Sequence, residues 1–153
     1  MNSTTRKRVH WSFWIISAFL LIWNIMGCIN FVVQMNPEMV SSYRANEQAI
    51  IQGRPLWATI GFAIAVFGGA MGCLMLLLKK PAAIYLLTAS LLGVLVAITH
   101  SLSLNIEFGT GETFGIILMP IAVAGFLVWY TLYVKNKGWL GTEHYRGPTI
   151  AQI

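Results

Sequence analysis

The sequence predicts an all-α integral membrane protein: a four-helix bundle with both termini cytoplasmic and a short amphipathic helix in its first outer loop. Three observations carry this. Of 153 residues, 57% are apolar and only 10% charged, whereas soluble domains carry about 25% charged residues. Four apolar runs each reach the about 20 residues that a helix needs to cross a hydrocarbon core. All ten Lys and Arg and all five Glu fall outside those runs. A disordered chain, a disulfide-stapled domain and a nucleic-acid module are excluded on the same grounds, although the net charge is +5.

The spans are expected at about residues 11–34, 57–78, 82–104 and 113–134, with a cytoplasmic N-terminus over 1–10 and a cytoplasmic tail over 135–153. None alternates with period two, and backbone polar groups in lipid must be satisfied within a segment, so helices are the solution. Arg6, Lys7, Arg8, Lys79, Lys80, Lys135, Lys137 and Arg146 gather on one side and only Arg44 and Arg54 on the other. The positive-inside rule makes the first side cytoplasmic. The first span reads as a retained anchor, because its apolar stretch outruns a signal-peptide core and no small-residue cleavage site follows. Trp11, Trp14, Trp57, Trp129, Tyr130 and Tyr133 fall at span ends, where amphipathic rings favour the headgroup level.

Lys79, Lys80 and Pro81 leave room only for a tight hairpin between spans two and three. Gly109 and Gly111 give turn freedom to the loop before span four. The first outer loop opens Asn36-Pro37-Glu38, the signature of a capping residue, a proline in the first turn and an acid beside the helix dipole. Met39, Val40, Tyr43, Ile50 and Ile51 then recur at helical spacing, which predicts a helix lying on the membrane or capping the bundle. Gly53 and Pro55 end it. The tail from Asn136, with three glycines and a proline, is expected to be mobile.

Inside the membrane, Gly61, Ala65, Gly69 and Cys73 repeat every four residues, with Gly68 and Gly72 on an adjacent face. Ala89, Gly93, Ala97 and Ser101 repeat the pattern in span three. Small residues let helix backbones approach closely, so the two stripes are expected to face helices, most simply each other. Asn24 lies mid-span and must point into the bundle, because an unpaired amide in hydrocarbon is costly. With Ser17 and His100 it forms the candidate polar lining of any solute site. His100, Glu107 and Glu112 lie close to the outer surface. They admit three readings: a satisfied interfacial histidine, a proton-sensitive lid or a divalent-cation site, the last disfavoured, so no metal is expected. Pro120 predicts a kink in span four, since it removes a donor and crowds the Ile116 carbonyl. Cys28 and Cys73 show no metal-ligand spacing and read as small buried hydrophobes.

The elements LIWNIMG, NPE with Tyr43, FAIAVFGGAMGCLMLLLKK, SLLGVL and NIEFGTGETFGIILMPIAVAGFLVWYTLYVKNKGWL resemble a group of small bacterial four-helix inner-membrane proteins often labelled sugar transporters. The resemblance covers most of residues 11 to 140 and implies topology and an inner-membrane location, with no catalytic residues to carry over.

Two functions fit the residues. One is a non-catalytic membrane component or accessory subunit, supported by the small-residue stripes and sparse polar interior. The other is an oligomeric facilitator of a small neutral solute such as a sugar, because four spans are too few to enclose a wide pathway alone. No acid lies within a span, which disfavours proton coupling. An enzyme is not expected: there is no Ser/His or HExxH arrangement and no phosphate cradle. The expected partners are the lipid bilayer and a homo-oligomer or larger membrane protein, with no nucleic acid and no cofactor.

Overall fold

The computed structural model describes residues 9–104 and 106–141, all helical or loop. Residues 1–8 with their basic cluster, Asn105, and the tail from 142 onward with Glu143 and Arg146 lie outside the described residues. In chain order the helices are α1 (Trp11–Val33), α2 (Pro37–Val40), α3 (Ala45–Gln52), α4 (Leu56–Leu77), α5 (Ala83–Ser103), α6 (Thr110–Glu112) and α7 (Met119–Asn136), with a π-helical stretch Thr113–Leu118 before α7. Among the described residues, four helical stretches are long and apolar enough to cross a membrane: α1, α4, α5 and the continuous run Thr110–Asn136. The fourth therefore begins three residues before the expected 113 and runs two past 134.

α1 buries Phe13, Ser17, Leu20 and Asn24, a stripe stepping by four, three and four residues that stays on one face of a helix. Its other faces carry exposed Trp11, Ile15, Phe19, Ile22, Met26 and Ile29, as a lipid-facing surface requires. Packing runs from α1 to α4, from α4 to α5 and from α5 to α7, the α4–α5 pair being the most extensive. The chain thus folds as a row of neighbours curled so that α1 and α7 approach mainly through side chains at the end bearing the termini. There Phe13, Leu76, Ala83, Tyr130, Val134 and Leu140 form one buried cluster, and Leu20, Cys73, Leu87 and Leu127 a second.

The α4–α5 contact shows why glycine is needed. A Cβ on Gly93 would lie 2.6 Å from the Ala65 nitrogen and 2.6 Å from the Gly61 oxygen, both backbone atoms that cannot yield. The expected stripe on α4 drifts, because twelve residues at about 100° each leave a residual rotation of about 120°. Gly61 and Ala65 face α5, Gly69 meets both Asn24 and Ser90, and Cys73 turns toward α1. Gly68 packs on Ser90 and Gly72 on Leu87. On α5 the same drift corrects the expectation: Ala89 is exposed and Ser90, one residue on, is buried, followed by Gly93, half-buried Ala97 and buried Ser101.

Two helix ends at the terminal face use the same closure. Lys79, at φ 57°, and Gly138, at φ 71°, occupy the left-handed region. The next amides, Lys80 and Trp139, donate back to Met75 at 2.8 Å and Val134 at 3.2 Å. This six-to-one bond satisfies carbonyls that a helix end otherwise orphans. The Gly141 amide donates to the Lys79 carbonyl at 2.8 Å, and Lys79 Nζ sits 4.9 Å over Trp14. Residues 139–141 are therefore docked rather than free, with Leu140 buried; the rest of the expected mobile tail lies outside the described residues.

Candidate functional site

The opposite end of the bundle is roofed by the α1–α4 connection. Its first turn forms as the sequence dictates, with Asn36 Oδ1 accepting from the Glu38 amide at 3.0 Å and Pro37 opening α2. Val40 and Ile50 are its buried apolar residues. Polar bonds then tie it to three other elements. Tyr43 Oη donates to Asn30 Oδ1 of α1 at 2.7 Å. Asn46 Nδ2 donates to Glu112 Oε2 at 3.0 Å and to the Glu107 carbonyl at 3.3 Å. His100 Nε2 of α5 donates to the Ile50 carbonyl at 3.3 Å.

Beneath this roof lies a cavity of about 620 Å³. Its roof end is polar, presenting Arg54, Glu47, Tyr43, Gln34 and Asn30. Toward mid-span the walls turn apolar, with Val94, Ile98, Val123, Ala124 and Leu127, and Asn24 and Ser90 stand at the floor. A second, almost wholly apolar groove of about 490 Å³ lies between α1 and α7, lined by Ile16, Phe19, Leu20, Ala122 and Phe126, and shares Val123 with the first.

Arg54 is the most constrained charged group here. Nη2 donates to Gln34 Oε1 at 2.7 Å, and the guanidinium carbon lies 4.8 Å over the Phe62 ring. Nη1 is buried and has no hydrogen-bond partner among the described residues. Burial lowers the pKa of this side chain. A guanidinium still remains charged in a protein, so the site holds an under-satisfied cation.

The floor is weakly polar and internally satisfied. Asn24 Nδ2 donates to the Leu20 carbonyl of its own helix at 2.8 Å and lies 3.6 Å from Cys73 Sγ. Ser90 Oγ donates across to the Ala65 carbonyl at 2.5 Å. On the wall from the fourth span, the Met119 amide bonds to Phe114, five residues back, so the turn before Pro120 is wide. The missing donor and the crowded Ile116 carbonyl, expected to kink the helix, are met by this π turn. It places Gly115, Ile116 and Pro120 on the cavity.

Of the expected polar lining, Asn24 lines the cavity and Ser17 and His100 do not. Ser17 is fully buried in α1, and its Oγ has no partner among the described residues. His100 is 3% exposed, held between the Ile50 carbonyl and the edge of Trp57 at 5.9 Å. Glu107 and Glu112 serve Asn46 rather than His100. No group of three His, Cys, Asp or Glu side chains gathers for a metal among the described residues. Arg54, Gln34, Glu47 and Ser90 were not among the expected lining residues. The one sequence signal for Arg54 is its place beside Pro55, which fixes it at the start of α4.

No family model, curated protein or solved structure matches this chain. The chemistry of the cavity therefore carries the functional reading.

Proposed function

We propose that this protein is a multi-pass component of a bacterial inner membrane, with both termini cytoplasmic, that works without catalysis by holding a small molecule in an outward-facing cavity. The observation that carries this is the asymmetry of the bundle. The cavity ends at Asn24 and Ser90, and below them Leu20, Cys73, Leu87 and Leu127 pack into a buried plug. A pocket of this size falls in the range of about 300–1,000 Å³ usual for small ligands. The orientation is supported by Lys79, Lys80, Lys135 and Lys137 at the terminal end. The resemblance to small four-helix inner-membrane proteins supports the same placement. An accessory role with a larger membrane partner fits the same architecture.

One observation favours a second reading, an oligomeric facilitator of a neutral solute such as a sugar. Asn24 and Ser90 put uncharged hydrogen-bonding groups at mid-span within the cavity. Purified protein in liposomes separates the two. Saturable quenching of Trp23 fluorescence by a brominated lipophilic probe, without flux of labelled neutral sugars, is the expected result. Flux that disappears in folded Asn24→Leu would replace the binding reading with the facilitator, and neither binding nor flux would remove the cavity as a functional site.

A further inference from the structure

We propose that the cavity takes a single-chain amphiphile with one anionic headgroup, the headgroup on Arg54 and the chain running past Val94, Ile98, Val123 and Leu127. This rests on the reading of the cavity as a ligand site and names its ligand class.

The first ground is the unpartnered Nη1 of Arg54. A buried N–H of a charged group left without an acceptor is costly, and native proteins rarely leave one so. The second ground is preorganisation. Gln34 and the Phe62 face fix the plane of the guanidinium, so a headgroup entering the cavity meets a cation already held on its lining, and the closed-off Nη1 gains an acceptor by a small turn of the guanidinium toward it. The third is the graded wall, polar at the roof and apolar toward mid-span, the profile of an amphiphile rather than of a sugar. The fourth is the exit. Val123 lines both the cavity and the apolar groove between α1 and α7, so the groove of Ile16, Phe19 and Phe126 begins one side chain away and is the path a longer chain would take. Glu47 on the same lining opposes a second negative charge, which limits the headgroup to one.

A carboxylate and a phosphodiester each carry one negative charge and share this chemistry, and the test has an arm for each. Trp23 lines the cavity and reports by short-range bromine quenching, with Trp23→Phe as the control. The probe is dibromostearate added to the protein in uncharged detergent; the other arms are its neutral glyceryl ester, acetate, and unlabelled stearate or lysophosphatidylglycerol as competitors. Saturable quenching by the acid, weaker quenching by the ester and no competition by acetate are expected. The more effective competitor identifies the headgroup. Arg54→Gln is expected to weaken binding of the acid about ten- to a hundredfold, the weight of a hydrogen bond to a charged group. Arg54→Lys should be intermediate, and Glu47→Gln should preserve or tighten binding. Ala97→Phe, filling the wall, should abolish quenching by both acid and ester.

Equal affinity for acid and ester, unchanged in Arg54→Gln, would overturn the anionic ligand and leave the cavity as a ligand site. Quenching that survives Ala97→Phe, or is absent in every arm, would overturn both. Loss of acid binding in Glu47→Gln would point to a zwitterion and sink the proposal.

Discussion

His100 Nε2 donates to the Ile50 carbonyl across 3.3 Å, joining α5 to a helix fifty residues away in the chain. The bond is buried, and Trp57 covers the ring edge-on at 5.9 Å. It is one of the polar ties that hold the α1–α4 connection over the cavity, with Tyr43–Asn30 and the bonds of Asn46 to Glu112 and to the Glu107 carbonyl as the others.

His100→Ala should therefore loosen the roof more than the bundle. It leaves the Ile50 carbonyl without its donor, at a cost of about 1–3 kcal/mol. Hydrogen exchange should accelerate across Ala45–Gln52 with little change in α4 and α5. Unchanged exchange in that helix would show that the bond does not hold it.

The α4–α5 contact predicts opposite outcomes for two glycines. Gly93→Ala forces a methyl against backbone of α4, so the helices must separate, at a cost of about 1–3 kcal/mol. Gly125→Ala in α7 meets nothing within 4 Å and should stabilise by roughly 0.5–1 kcal/mol through reduced backbone entropy. Thermal unfolding in detergent reads both; equal effects would refute the close approach.

Two buried serines should also diverge. Ser17→Ala removes a hydroxyl with no partner and should leave stability unchanged or raise it. Ser90→Ala deletes an interhelical bond to Ala65, worth about 0.6 kcal/mol in a membrane bundle. A loss in Ser17→Ala as large as in Ser90→Ala would mean that Ser17 has a partner.

Reporter fusions after Val40 and after Lys137 should report opposite sides of the membrane, the second cytoplasmic. The same side for both would overturn the orientation on which the outward-facing cavity depends.

Much of the architecture is legible locally. The Asn36-Pro37-Glu38 turn forms because capping is decided within three residues. Gly61, Ala65 and Gly93 pack as small-residue spacing requires. Ala89 shows the limit of that reasoning: a four-residue repeat drifts around a helix with a period of about 3.6, so the buried face passes to Ser90. The fate of Pro120 was half legible, since the lost donor is local but a π turn and a simple kink both accommodate it.

The candidate site was less legible. Asn24 announces itself by being polar in an apolar run, whereas Arg54 sits in a loop like any surface cation. Only the packing of α1 against α4 encloses it between Gln34 and Phe62. His100 is the converse case, a titratable residue that local sequence places with Glu107 and Glu112 and that folding pairs with Ile50 instead.

What the sequence by itself determined is the number of helices long and apolar enough to cross a membrane, their approximate ends and the small-residue contact between α4 and α5. Those follow from hydrocarbon thickness, backbone hydrogen bonding and side-chain size, all of which act within one segment or its immediate neighbour. The tertiary structure decided that α1 and α7 leave a gap, that α3 covers it, and that a guanidinium is caught on its lining between the end of α1 and the start of α4. These depend on contacts between residues far apart in the chain, where the hydrophobic pattern that defines each helix carries no information about which polar groups will meet.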